Sequence, residues 1–158
     1  MTLDSKKKQV IDAILAKLET AMAAVQLPEG WPCPPKVQLV AAAPVEAPPE
    51  GHVIIGKGRL SPTPAEFGAG GPVYECVLTV PIEIHVGHPY ADVEVPAFDA
   101  VQTAIGAAII ADPSLGGLVD NAELISADDF AGGDDSTLLE EDGQLVLVCT
   151  WYASNPLG

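Results

Sequence analysis

The feature that most constrains the fold is one segment of fourteen residues, VYECVLTVPIEIHV, Val73–Val86. Every second residue from Tyr74 through Cys76 to the end is apolar or aromatic, and most residues between them are polar. Because side chains alternate between the two faces of a strand, this pattern predicts one long strand with one apolar face. Fourteen residues extend ~46 Å, against about 18 Å for a usual strand, so we expect half of a long hairpin or a bend. Pro81 cannot donate a ladder hydrogen bond and favours an edge or a bulge.

Two helices and four further strands are predicted around this segment, the helices from apolar residues at three- and four-residue spacing. The helices are Asp4–Gln26 and Pro96–Ala111, and the other strands are Lys36–Ala42, His52–Leu60, Leu118–Ser126 and Leu145–Ala153. The order α-β-β-β-α-β-β predicts an α+β fold in a single domain over residues 1–158. We expect one mainly antiparallel sheet with a long β-hairpin and two helices packed on one face. The last strand is apolar enough to be central in the sheet.

Glycine, proline and acidic residues mark the predicted irregular regions. Gly56 and Gly58 indicate a bulge or an edge within His52–Leu60. Ser61–Pro72 has Gly or Pro at half its positions and is predicted to be a mobile loop at a hairpin tip. Its one large apolar residue, Phe67, makes it either a docking loop or a plain exposed tip. Ala127–Asp142 is predicted to be an acidic loop, either solvated or bridging subunits weakly through divalent ions.

Charge is distributed very unevenly along the chain. All seven Lys and Arg lie in the first 59 residues, and 16 of the 22 Asp and Glu follow them, for a net charge of −15. Because Lys and Arg lead the binding of phosphates, a duplex-binding protein is not expected, whereas a channel through which nucleic acid slides remains open. Lys6, Lys7 and Lys8 lie at the unfavourable end of the helix dipole, so they are either a solvated end or contacts with an acidic neighbour. Charged residues are 18% of the chain, which is fewer than soluble domains usually have. This indicates either that partner subunits cover part of the surface or that the protein is a slightly apolar monomer.

No sequence motif predicts catalysis or a cofactor. The three cysteines are far apart and have no CxxC spacing, which argues against a zinc site and a disulfide framework. The best metal candidate is His85 and His88 with Asp92 and Glu94 nearby, and the alternative is a solvated strand end. There is no GxSxG elbow. The start, MTLDSKKK, predicts no secretory signal, and no run of about 18 apolar residues predicts a membrane helix.

The order of elements and one local pattern resemble a known family. After an N-terminal amphipathic helix and a long hairpin come the helix-to-strand segment AIIADPSLGGLVDNAELIS, Ala107–Ser126, and a last apolar strand ending in Trp151-Tyr152. The chain thereby resembles the tail terminator (tail completion) proteins of long-tailed bacteriophages and gene transfer agents. In that family the second helix often ends in a similar D-x-x-L-x-x-L-V segment. The Pro-rich segment Trp31–Pro49 and the segment Ser61–Pro72 are departures from the pattern.

The resemblance implies a structural, non-enzymatic protein of the virion, at the head-proximal end of the tail. It implies a homohexameric ring that caps the tail tube, ends its polymerisation and joins the head through a head-completion or connector protein. DNA is then only cargo passing through the ring. Lys57 and Arg59 are the predicted contacts with a neighbour or the tube, with Phe67 as a further contact, and a solvated strand edge is the alternative. Two other functions stay open: another head–tail joining protein, or a small metal-dependent enzyme using His85, His88 and Asp92.

Overall fold

The computed structural model describes residues 5–29, 31, 33–42, 51–68, 70–86, 94–126 and 141–156. Within these ranges the chain forms two helices, a short 3-10 turn and one six-stranded sheet. The helices are α1 (Lys6–Ala23) and α2 (Glu94–Ala111), and the strands are β1 (Lys36–Leu39), β2 (His52–Ile55), β3 (Arg59–Gly68), β4 (Gly71–Val86), β5 (Asn121–Ser126) and β6 (Glu141–Ala153). The predicted α+β class, with two helices and a mainly antiparallel sheet, is confirmed. The order differs only in that His52–Leu60 is divided into β2 and β3.

The sheet is built outward from a long central pair, β4 and β6. They pair antiparallel over thirteen positions, from Tyr74 opposite Ala153 to Val86 opposite Glu141. The strand order is β1-β2-β4-β6-β5, and β3 also pairs with β4. Only β1 and β2 run parallel among these pairs. β6 therefore lies between two strands, as its apolar sequence predicts.

A bulge divides β2 from β3 along one edge of β4. Ile55 lies opposite Ile82, and Arg59 lies opposite Thr79. The chain thus advances four residues from Ile55 to Arg59, while β4 advances three over the same distance. The extra residue falls within Gly56–Gly58, where the two glycines predict an irregularity.

The prediction of a mobile loop at Ser61–Pro72 is wrong. β3 continues to Gly68 and β4 begins at Gly71, and the two strands are paired up to those residues. Pro62 and Pro64 are tolerated because β3 has a partner strand on one side only in the described sheet, so a missing N–H can face away from the ladder. The β4–β6 pairing ends at Tyr74, and three residues of β4 continue past it. The hairpin therefore projects about 10 Å beyond the central pair.

β5 begins at Asn121, three residues after the predicted start at Leu118, because the chain first forms a turn after α2. Leu115–Gly117 have φ values between 50° and 86°, a left-handed path that glycine adopts without steric cost. Val119 N–H then donates to Ser114 O at 3.1 Å, which extends the turn.

β6 begins four residues before its apolar run. The run starts at Leu145, but residues 141–144 already pair with the end of β4. Strand pairing uses backbone groups, so these polar residues extend the ladder as well as apolar ones do. The rest of the predicted acidic loop Ala127–Asp142, residues 127–140, lies outside the described residues.

One apolar core lies between the sheet and both helices. The buried residues include Val10, Ile14, Leu18 and Met22 of α1, Val101, Ile105 and Ile109 of α2, and Cys76, Leu78, Val80, Ile82 and Ile84 of β4. None of the intervening residues of β4 from Glu75 to His85 is buried, and Thr79 and Glu83 are exposed, so both helices pack on one face. Each fully buried Leu or Ile side chain contributes about 1.5–3 kcal/mol of transfer free energy. Burial raises the pKa of Cys149 to about 11 and also raises that of Cys76, so both thiols stay neutral, as expected of small buried apolar residues.

Candidate interaction surfaces

A groove of about 320 Å³ lies where the start of α1 meets the ends of β1 and β2. We call it the cationic groove, because it is lined by three of the chain's seven Lys and Arg: Lys7, Lys8 and Lys57. Its other lining residues are Ser5, Ile11, Asp12, Leu39, Val40, Ala41, Ile55, Gly56 and Gly58. Lys8 Nζ pairs with Asp12 Oδ2 at 2.9 Å, which offsets one positive charge. Within the described residues, Lys7 and Lys57 have no carboxylate partner.

The bulge between β2 and β3 presents Lys57 to this groove. Gly56 N–H donates to Pro81 O at 2.8 Å, which keeps the chain close to β4. A Cβ on Gly56 would lie 2.5 Å from Pro81 Cγ, and a Cβ on Gly58 would lie 2.8 Å from Leu78 Cδ1. The first distance is to a rigid proline ring, so only glycine fits at position 56, whereas at position 58 the end of the Leu78 side chain would have to shift. The lysine between them is exposed.

The first turn of α1 adds to the positive potential of the cationic groove. Ser5 caps the helix, and its Oγ accepts from Lys8 N–H at 3.2 Å. The first turn contains no acidic residue, so the partial positive charge of the helix start is not offset there. Val40 at the rim is 44% exposed and adds apolar surface. The groove can therefore bind an acidic segment that also carries apolar side chains.

Arg59 and Phe67, the other predicted contact residues, lie along β3. Arg59 is exposed at the start of the strand, opposite Thr79 and two residues from Lys57. Phe67 lies opposite Pro72 near the hairpin tip, and its side chain is outside the described part of the structure. The structure thus brings Lys57 together with Lys7 and Lys8, a grouping that sequence reasoning missed. The only signal for it was the confinement of every cation to the first 59 residues.

A second surface, of opposite charge, lies at the other side of the sheet, along β5. We call it the acidic edge and define it by the exposed side chains of Asp120, Glu123, Ile110 and Ile125. Ile110 is 82% exposed and Ile125 is 51% exposed. Between the end of α2 and β5 lies a groove of about 520 Å³, lined in part by Ile110 and Glu123. β5 pairs only with β6 in the described sheet, so no described strand occupies its outer backbone edge.

A groove of about 1050 Å³ separates α1 from α2 and is lined mainly by alanines. Lys17 Nζ donates to Asp112 Oδ2 at 3.1 Å and joins the two helices at this groove. Asp112 also accepts from Ser114 Oγ and from Gly116 N–H, each at 2.8 Å. Hydrogen bonds from Ser114, Lys17 and Gly116, in that order, lower the pKa of Asp112 to about 2. This ionised carboxylate thereby holds the turn that leads into β5.

The predicted metal candidate is only partly described. His85 lies in β4, its Nε2 is 3.3 Å from Glu83 Oε2, and its ring centroid is 5.0 Å from that of buried His52. His88 and Asp92 lie outside the described residues. Across the described ranges, no three His, Cys, Asp or Glu side chains are grouped so that they could hold a metal ion.

Comparison of the sequence with models of protein families and with curated proteins finds no match. In the described ranges, neither helix combines the length and hydrophobicity needed to span a bilayer.

Proposed function

We propose that the protein is a structural subunit of a ring that caps the tail tube of a long-tailed bacteriophage or gene transfer agent. The main support for this proposal is that two unlike surfaces, the cationic groove and the acidic edge, lie at opposite edges of one sheet. A closed ring with cyclic symmetry uses head-to-tail interfaces, in which two different patches of each subunit meet. The resemblance to tail terminators supports six copies.

The projecting β3–β4 hairpin supports contact with a second structure, the tube. Its outer part extends about 10 Å beyond the central strand pair. Such a projection can reach past its own subunit without disturbing the core. Phe67 lies near the tip of this hairpin and is its candidate contact with the tail tube protein.

The charge distribution is compatible with passage of DNA through such a ring. No Lys or Arg occurs after Arg59, and the remainder of the chain carries 16 acids. A lumen lined by this part offers phosphates no cations to pair with, so DNA passes without binding. In this proposal the protein lies at the head-proximal end of the tail. It ends tube growth there and provides the surface for a head-completion or connector protein.

The test is a capping experiment with the tail tube protein of the virus or agent that encodes this chain. Tubes are polymerised with and without the purified protein, and their lengths and ends are examined by electron microscopy. Capping predicts shorter tubes and a ring at one end. Tubes of unchanged length without end density would refute it. Binding to tailless heads, with no binding to tubes, would instead indicate the alternative, a head–tail joining protein.

A further inference from the structure

We propose that the cationic groove of one copy binds the acidic edge of the next copy, so that copies of this chain join head to tail. This inference rests on the proposed ring and names its subunit interface. The two surfaces are on opposite sides of the sheet: the groove adjoins β1 and β2, and the acidic edge follows β5. In the order β1-β2-β4-β6-β5, four strand spacings of ~4.8 Å separate the outer strands by about 19 Å. Each copy can therefore engage two neighbours at once.

The charges of the two surfaces are complementary. Lys7 and Lys57 provide two positive charges without a carboxylate partner among the described residues. Asp120 and Glu123 are exposed on the acidic edge. Opposite charges across an interface attract the correct surfaces and fix their register, and like charges exclude wrong pairings. Groove against groove, or edge against edge, would bring like charges together, so two-fold symmetric pairing is disfavoured.

Exposed apolar side chains accompany these charges on both surfaces. Four large apolar residues are exposed in the described part of the chain, and three of them, Val40, Ile110 and Ile125, belong to the two surfaces. Ile110 is the most exposed of the four, on an 18-residue helix whose side chains from Ala100 to Ala111 are all uncharged. Inside the cationic groove, Ile11 and Leu39 provide apolar contact for such a side chain. An apolar centre with a charged rim is the usual composition of a specific interface.

The test uses two variants that each place a new negative charge on one surface, Lys57→Glu in the groove and Ile110→Glu at the edge. Both side chains are exposed, so we expect both variants to fold. Lys36→Glu, at the opposite end of β1, makes the same charge change as Lys57→Glu. Ala16→Glu adds one charge to the exposed face of α1, as the control for Ile110→Glu. Self-association is measured by sedimentation velocity over a wide range of protein concentration, with circular dichroism as the check of folding.

The wild type is expected to associate with increasing concentration, and each of the two variants to weaken this about tenfold or more. The control variants are expected to associate like the wild type. An equimolar mixture of the two variants is expected to stop at complexes of two copies. Only one pairing is then intact: the groove of the Ile110→Glu copy against the edge of the Lys57→Glu copy. Arrest at two copies is specific to a head-to-tail interface.

Three results would overturn this inference: a monomeric wild type at every concentration, variants that associate like the wild type, or a mixture that reaches the wild-type size. The capping experiment separates these results from the proposed function. If the wild type caps tubes while the variants associate normally, the ring function stands and only this interface is wrong. If the variants lose self-association as expected but the wild type leaves tubes unchanged, the interface stands and the tube-capping proposal fails.

Discussion

Replacement of Gly56 by alanine tests whether close packing against Pro81 holds the bulge in place. The added Cβ would lie 2.5 Å from Pro81 Cγ and 3.3 Å from the backbone oxygen of Pro81. The proline ring is rigid, and the backbone of β4 is fixed by its pairing with β6, so neither neighbour can move freely. Gly56 does not have a positive φ, which makes the predicted loss of stability a matter of packing alone.

Forcing one extra carbon into a packed site costs about 1–3 kcal/mol. With a urea m-value of about 2 kcal/mol/M, this loss lowers the unfolding midpoint by about 0.5–1.5 M. In a chain that also carries Pro81→Ala, the clashing Cγ is gone. The loss of stability caused by Gly56→Ala should then be much smaller. The difference between the losses measured with and without Pro81→Ala gives the interaction energy of positions 56 and 81.

Urea unfolding followed by tryptophan fluorescence is a suitable assay, because Trp31 and Trp151 are both buried. Gly70→Ala is the matched control, since a Cβ there meets no atom within 4 Å. We expect no loss of stability in the control. A wild-type midpoint for Gly56→Ala, or the same loss with and without Pro81→Ala, would show that this contact does not restrain the bulge.

Three further predictions concern the helices, the core and the turn before β5. Gly106→Ala in α2 places a Cβ in open space and should stabilise the fold by about 0.5–1 kcal/mol, seen as a rise of about 1–4 °C in Tm; an unchanged or lower Tm contradicts this. Leu78→Ala, at a fully buried position of β4, should cost about 2–5 kcal/mol in urea unfolding, and a loss below about 1 kcal/mol would argue against the described core. The pKa of Asp112 is lowered to about 2 from its ordinary 3.8. Its contribution to the free energy of unfolding is therefore present above about pH 4 and is lost as the pH falls towards 2. Asp112→Asn should therefore reduce the dependence of the urea midpoint on pH in that range, and equal pH dependence in both proteins would refute the assignment.

The sequence predicts the parts of the fold that local periodicity determines. The alternating residues of β4 and the helical stripe from Val10 to Met22 are buried as predicted, because each pattern fixes which side chains share a face. The strand at Ser61–Gly68 was missed because its composition opposes a strand. Pairing with β4 on one side supplies the ladder, and the open side accommodates the prolines.

The candidate surfaces were harder to predict because they depend on tertiary contacts. Lys57 is predicted as a contact residue from its place at the base of the predicted hairpin. Its proximity to Lys7 follows only from the packing of α1 over the ends of β1 and β2. The acidic edge was missed because the sequence does not show that Ile110 of α2 lies close to Glu123 of β5. Its position on the helix places it opposite the core, where it is exposed.

The bulge at Gly56–Gly58 connects the stability of the sheet with the proposed assembly. A regular strand through these residues would continue the ladder and would accept β-branched side chains, which favour strands. The bulge gives up that regular pairing and allows only glycine at position 56, next to Lys57. Departures from local rules of this kind are expected where a position serves function. If the bulge exists to present Lys57, Gly56→Ala should weaken self-association as well as stability, and adding Pro81→Ala should recover both. Recovery of stability without recovery of association would mean that Pro81 itself belongs to the interface.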